Sequence, residues 1–375
     1  MIVQETRKSS RNPVLSLVLD VTCQSCACDF HAITVTSYLP TDLIKTHFWN
    51  KYNFSVKLRI MESSYIAGVE LGGTTCLAAI AELSQPTTIV ESFEAKTTFP
   101  QETLPQLAKF LKAKLASLNI ASFRAIGIAS FGPVDLHEDS ETYGYITSTP
   151  KEAWRNAEVL GFFKREFGDS TAIAFETDVN APAMAEMAQR QCAHPPGPSS
   201  LAYITVGTGV GVGAVVDGAP IHGLLHPEGG HMMIPPIPGD TYKGGCAFNH
   251  GYCVEGMVHS KAIAERAGVE KTELHTLSDD HDVWEKVGYY LGVLCLNITY
   301  LISPHVIVLG GGVMKRKILY SKARRWFKDL NKGYLNIEKF KTEQGLESYI
   351  CESVFGNSAG ITGALEIARK KAYGN

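Results

Sequence analysis

Three glycine-dense turns, each at the end of an apolar run, constrain this chain more than any other feature: GVELGGTT at 68–75, ITVGTGVGVG at 204–213 and IVLGGGVM at 307–314. Glycine after a strand lets the backbone turn tightly and brings peptide N–H groups close to a bound anion. One such turn is an ordinary hairpin. Three in one chain predict a nucleotide cradle. None fits the P-loop, because no Gly-Lys-Ser/Thr follows, and none fits the dinucleotide fingerprint, because the first joins two strands instead of opening a helix.

The segments around these turns alternate in character. FRAIGIAS, TAIAFETD, LAYITVGTGVGVGAVV and PHVIVLGGGV read as strands, whereas LPQLAKFLKAKLASL, VNAPAMAEMAQRQ, DVWEKVGYYLGVLCLNITYLI and GITGALEIARKKA carry helical spacing. Such alternation predicts an α/β protein. A length of 375 residues predicts two domains. The proline-rich QCAHPPGPSS at 191–200 reads as a surface loop near the domain junction. Residues 1–60 differ: they contain no glycine and their apolar positions are irregular. They are predicted to be a poorly ordered appendage, with one folded domain over 61–178 and a second over 179–375.

A net charge of −3 supplies no basic field for nucleic acid and no polybasic anchor for a membrane. No apolar run reaches the roughly 18 residues that span a bilayer, and the N-terminal SLVLDV is short for a signal segment, so a cytoplasmic protein is expected. Nine cysteines, an odd number scattered over a long chain, argue against a disulfide framework. Two groups stand out as metal candidates. Cys23, Cys26 and Cys28 lie near His31, with little core around them, and Cys246 and Cys253 flank His250.

In their order, strand–GGTT–strand, strand–GTGVGVG–strand and strand–GGG, the three turns resemble the sugar-kinase branch of the actin-like ATPase superfamily. HPEGGHMMI at 226–234, followed by the cysteine and histidine cluster, resembles the ROK family (repressor, open reading frame, kinase). GIASFGPVDL at 127–136 and YGYITSTPKEAW at 143–154 are similar to the zinc-containing fructokinases of that family. The resemblance runs from Tyr65 to Ala372. It implies two actin-like, ribonuclease H-like α/β domains around an interdomain cleft, with the last helix packing back on the first domain. It also implies a homodimer that uses Mg²⁺ with ATP to phosphorylate a free hexose, D-fructose to fructose 6-phosphate first of all. Glucokinase, mannokinase and N-acetylhexosamine kinase activities use the same parts. A sugar-sensing transcriptional regulator is the alternative of another class, but residues 1–60 show neither the helical periodicity nor the basic face of a helix-turn-helix.

Carried onto this chain, the resemblance gives the ATP phosphates to Gly72, Gly73 and Thr74 and to Thr205, Gly207, Thr208 and Gly209. Gly310, Gly311 and Gly312 take the adenosine side, and Glu70 helps hold Mg²⁺. Asp178, where an apolar strand ends and a helix begins, takes the role of the base that accepts the sugar hydroxyl proton. An Asp before a helix also serves as an N-cap, and Glu176 is its local rival. Glu228 and His231 are expected to read the sugar hydroxyls, with Asn180, Thr149 and Lys151 contributing to the pocket, Trp154 to its wall and Glu186 behind it. His231, Cys246, His250 and Cys253 form a Cys₂His₂ set suited to structural Zn²⁺, expected to pin the loop 232–245. CAFNHGYC departs from the family spacing, with three residues between the first cysteine and the histidine instead of two.

Overall fold

The computed structural model describes residues 64–374 together with the backbone of three earlier strands, β1 (Leu15–Cys23), β2 (Asp29–Ser37) and β3 (Phe54–Ile60). These pair antiparallel in the order β2-β1-β3, apart from the two larger sheets. All three strands fall within the segment 1–60. The side chains of Cys23, Cys26, Cys28 and His31 lie outside the described residues.

The first domain runs β4 (Tyr65–Leu71), β5 (Thr75–Glu82), β6 (Ile89–Lys96), α1 (Pro100–Ser117), β7 (Ala125–Ser130), β8 (Tyr145–Ile146), β9 (Ala157–Glu158), α2 (Val159–Phe167) and β10 (Ala172–Thr177). Its sheet has the order β10-β7-β4-β5-β6. β4, β7 and β10 are parallel, whereas β4–β5 and β5–β6 are antiparallel hairpins. β7, AIGIAS, is buried at every position, as expected of a central strand covered on both faces. One cover is α1, which buries Leu104, Leu107, Ala108 and Leu111 at helical spacing.

The second domain runs α3 (Asn180–Ala193), β11 (Leu201–Val206), β12 (Val210–Val216), β13 (Ala219–Pro220), α4 (Val254–Val258), α5 (Ser260–Ala267), α6 (Asp282–Ile302), β14 (Val306–Gly310), α7 (Ile318–Asn331), α8 (Glu343–Tyr349), β15 (Ile350–Glu352) and α9 (Ala359–Ala372). Its sheet, β13-β12-β11-β14-β15, repeats the order and strand senses of the first. In α6 the buried Tyr290, Leu291, Leu294 and Ile298 pack into a core that includes Ile204 and Leu309 of the sheet. No helix among the described residues is long and apolar enough to cross a membrane.

A third core joins the two sheets through α3 and α9; alongside larger residues such as Met184, Tyr203 and Leu365 it is rich in alanine, including Ala125, Ala129, Ala181, Ala183, Ala364 and Ala368. α9 packs across β4 and β7 of the first domain, although it is the last element of the chain. The approach is close because Gly127 has no side chain: a Cβ there would lie 2.0 Å from the Ala364 carbonyl oxygen. The two equivalent sheets thus face a shared pair of helices, and their glycine turns open toward one another.

Candidate active site

Asp178 follows β10 directly. Its backbone N–H donates to the Ser130 carbonyl oxygen at the end of β7, 2.8 Å away, which fixes the residue at the carboxyl edge of the first sheet. That edge, beside the junction of parallel strands, is where α/β sheets place their ligands. The side chain is half-buried and has no ion pair among the described residues. Burial pushes its carboxyl up to about 7.

Two more carboxylates respond to it. Glu70, near the end of β4, is raised to about 7 by burial and by the negative charge of Asp178. Its Oε2 is buried without a hydrogen-bond partner. Glu228, in the loop after β13, is also raised to about 7, by burial and by the charges of Asp178 and Glu255. Glu255, in the first turn of α4, accepts the Val210 backbone N–H at 3.0 Å. Three carboxyls have raised pKa values, two of them in part through the charge of Asp178, and one has an orphaned oxygen, which marks an electrostatically strained cluster. The orphaned Glu70 oxygen is a hard donor of the kind that Mg²⁺ takes.

The glycine turns meet in one cavity of about 1020 Å³ that draws its walls from both domains. Glu70, Gly72, Gly73, Thr74, Gly207, Thr208 and Gly312 all line it. The remaining members of the predicted set do not. Gly209 faces Glu255, since a Cβ there would stand 2.7 Å from Oε2. Gly311, at φ +89°, rests against Val206 and Thr205 and makes the turn itself. Gly310 and Gly311 border a smaller cavity of about 130 Å³ instead.

Further residues of the main cavity lack a sequence signal. Lys271, Lys315, Arg316 and Lys317 bring positive charge to the wall, while Ile263, Leu274, Trp284 and Val313 bring apolar surface. Ser260, the first residue of α5, has a buried hydroxyl with no partner, and its N–H donates to the Gly207 carbonyl. A helix N-terminus carrying a free hydroxyl suits an anion.

The other predicted sugar residues divide. Lys151 is half-buried beside the first phosphate turn, its Cε 3.8 Å from where a Gly73 Cβ would sit. Thr149 is buried, with its carbonyl accepting from Arg155 Nε. Asn180 is fully buried with both ends of its amide engaged: Nδ2 donates to Glu176 Oε1 at 3.1 Å and Oδ1 accepts from Ala214 N at 3.0 Å. It clamps β10 to β12. Glu176, the rival base, is spent on Asn180, on the Thr177 N–H and on His222 Nε2 at 2.7 Å. Trp154 is core, its Nε1 donating to Thr98 O at 2.8 Å and its ring meeting Phe131 edge-on. Glu186 pairs with Arg190 and accepts from Val354 N.

His231, Cys246, His250 and Cys253 converge, with their ligand atoms all within 4.8 Å of one another. His231 Nδ1 lies 3.7 Å from Cys246 Sγ, 3.9 Å from Cys253 Sγ and 3.2 Å from His250 Nδ1. A tetrahedron with bonds of about 2.0–2.3 Å has edges of roughly 3.3–3.8 Å, so the residues fit zinc. The additional residue in CAFNHGYC is absorbed by a turn in which Asn249 takes φ +55° and donates its N–H to the Cys246 carbonyl. Backbone N–H groups of Phe248 and Gly256 donate to the two sulfurs, as outer-shell groups do around thiolate ligands. The loop 232–245 also has a second anchor that the sequence conceals. Asp240 pairs with Arg266, both nearly buried, and accepts from Tyr290 Oη at 2.7 Å, while Arg266 stacks on Tyr242.

Comparison with known proteins adds a family. The ROK family model matches residues 66–371. A fructokinase from Lactococcus lactis subsp. cremoris is 37% identical over 276 residues, 73% of this chain and 88% of that protein. A fructokinase from Streptococcus mutans is 33% identical over 313 residues, 83% of this chain and 99% of that protein. The crystal structure of a ROK hexokinase from Thermus thermophilus superimposes with a TM-score of 0.63 at 22% identity, covering 83% of this chain and all of that one. With its duplicated sheets, facing glycine turns and Cys₂His₂ cluster, the chain belongs to the ROK family.

Proposed function

We propose that this protein is an ATP-dependent hexose kinase that converts D-fructose to fructose 6-phosphate, working in the cytoplasm as a homodimer. One observation carries the reading: glycine turns from both domains line a single cavity that reaches Glu70, and Asp178 stands close enough to Glu70 to raise its pKa. Relatives named fructokinase support the choice of sugar.

ATP lies in the cavity with its phosphates on Gly72, Gly73, Thr74, Gly207 and Thr208, the hydroxyl of Ser260 and the charge of Lys271 alongside. Its base meets the apolar surface of Ile263 and Val313 next to Gly312. Glu70 is the residue that would hold Mg²⁺, which neutralises charge on the transferring group. Glu228 and Glu255 accept hydrogen bonds from sugar hydroxyls. His231, with Nδ1 committed to the zinc set, keeps Nε2 for the sugar. Lys151 stands beside the first phosphate turn, at the junction of sugar and γ-phosphoryl group. The hexose hydroxyl oxygen attacks the γ-phosphorus, the bond to the β–γ bridging oxygen breaks, ADP departs and Asp178 takes the hydroxyl proton. His231, Cys246, His250 and Cys253 would hold zinc, which braces the loop carrying the sugar contacts.

The test is Asp178→Asn. Fructose binding should persist while kcat falls by about 10³–10⁴. Turnover within about tenfold of the parent would refute the assignment.

A further inference from the structure

The segment between β13 and Glu228 crosses to the first domain through histidines. His222 Nε2 meets Glu176 Oε2 at 2.7 Å, and His137 Nε2 of the first domain meets the Leu224 carbonyl at 2.8 Å. His226 Nε2 accepts the Val134 backbone N–H at 3.0 Å. His226 is the most buried of the three histidines, 8% exposed; its other nitrogen, Nδ1, lies 3.5 Å from Glu228 Oε1, at the limit of hydrogen-bond reach, and the ring also meets the Pro227 backbone.

The Val134 amide decides the tautomer. A ring nitrogen that accepts a backbone N–H carries no proton, so the proton of the neutral ring is on Nδ1, the side that faces Glu228. Burial lowers the pKa of His226 and keeps the ring neutral. The ring edge is also fixed by packing, since a Cβ on Gly132 would stand 3.3 Å from Cε1.

The position of Val134 matters. The five residues Ser130–Val134 leave β7 as one short segment. Its first carbonyl accepts the Asp178 N–H and its last N–H reaches His226. Between them, the Pro133 carbonyl accepts both the N–H and the hydroxyl of Thr147. One braced segment of the first domain therefore sets the base directly and faces the sugar-reading carboxylate of the second domain through one imidazole.

We propose that His226 is a positioning residue that holds Glu228 in register with Asp178 across the domain boundary, so that hexose affinity depends on the Val134–His226–Glu228 relay. The proposal rests on the hexose-kinase reading of the site. His226 touches neither nucleotide nor sugar and acts through Glu228.

Two substitutions separate its halves. His226→Asn keeps a donor near the place of Nδ1 and loses the acceptor for Val134. His226→Gln places an acceptor near Nε2 and loses the donor toward Glu228. Each should raise the KM for fructose, and its Kd in nucleotide-free titration calorimetry, by about tenfold, with the KM for ATP unchanged; His226→Asn, which orphans the buried Val134 N–H, should also lower the thermal midpoint, whereas His226→Gln, which keeps that acceptor, should not. Gly132→Ala, which presses on the ring from outside, should raise the fructose KM in the same sense. Added to Glu228→Gln, either histidine variant should cost nothing more, because residues acting in series are not additive. Parent-like fructose binding by His226→Gln would make His226 a pin for Val134 alone and overturn the relay. Full additivity with Glu228→Gln would overturn it as well. A fructose KM unchanged in Glu228→Gln itself would remove the sugar-reading role of Glu228, a failure of the underlying reading that the double variants distinguish.

Discussion

As the proposed base, Asp178 needs two properties at once, a fixed backbone and a carboxyl basic enough to take a proton near neutral pH. Its N–H bond to Ser130 supplies the first and burial supplies the second. Only the ionised carboxylate accepts a proton, so a pKa raised to about 7 means that kcat/KM for fructose should climb as pH rises through 7 and level off above about 8. Bound Mg²⁺ favours the ionised form, so the kcat limb should lie at lower pH than the kcat/KM limb. Rates from pH 5 to 9 check both; a kcat/KM limb near 4, the ordinary carboxylate range, would contradict the raised value. At this scale the sequence is readable where a residue's role follows from its place in the chain. The proposals for Asp178, at a strand end, and for Glu228, three residues before His231, are of that kind. Asn180 and Glu176 share the motif of Asp178, and Trp154 ends YGYITSTPKEAW, yet their partners, Ala214, His222 and Thr98, are distant in sequence, and those partners decide what they do. Glu255 was missed because the cysteines two and nine positions before it drew attention to metal alone.

Among the elements, the loop 232–245 depends most on something other than a hydrophobic core. Its ends are held by the Cys₂His₂ set and its middle by Asp240, Arg266 and Tyr290. Purified protein should contain one zinc per chain. Cys246→Ser or Cys253→Ser should abolish it and lower the thermal midpoint by more than about 5 °C, roughly 2 kcal/mol for a domain of this size. Fructose affinity should fall together with zinc if the proposed double role of His231 holds. Zinc-free protein with an unchanged midpoint and unchanged fructose KM would dissociate the cluster from the site. The shifted spacing in CAFNHGYC looked like a departure in one dimension; in three, Asn249 in a left-handed turn returns His250 to the cluster. The Asp240–Arg266 anchor was invisible because its members are far apart and each, alone, reads as a surface charge.

Over the whole molecule, the cleft exists because two equivalent sheets share the helices α3 and α9 through a layer of alanine and glycine. Gly127→Ala would drive a methyl into the Ala364 carbonyl and push α9 off β7. It should destabilise the protein by about 1–3 kcal/mol in urea unfolding, and the ATP KM should rise as the facing glycine turns lose alignment. A stability change under about 0.5 kcal/mol would show that the contact has slack. The α/β class, the glycine turns and the metal-binding residue types were legible in the sequence because each depends on local chemistry: strand periodicity, the freedom of glycine, the ligands that zinc accepts. The tertiary structure alone decided which glycines line the shared cavity and which polar residues are consumed as clamps; the return of the final helix to the first sheet was implied by the family resemblance and by no local pattern. Those outcomes depend on contacts between segments tens to hundreds of residues apart, and no local pattern records which partners will meet.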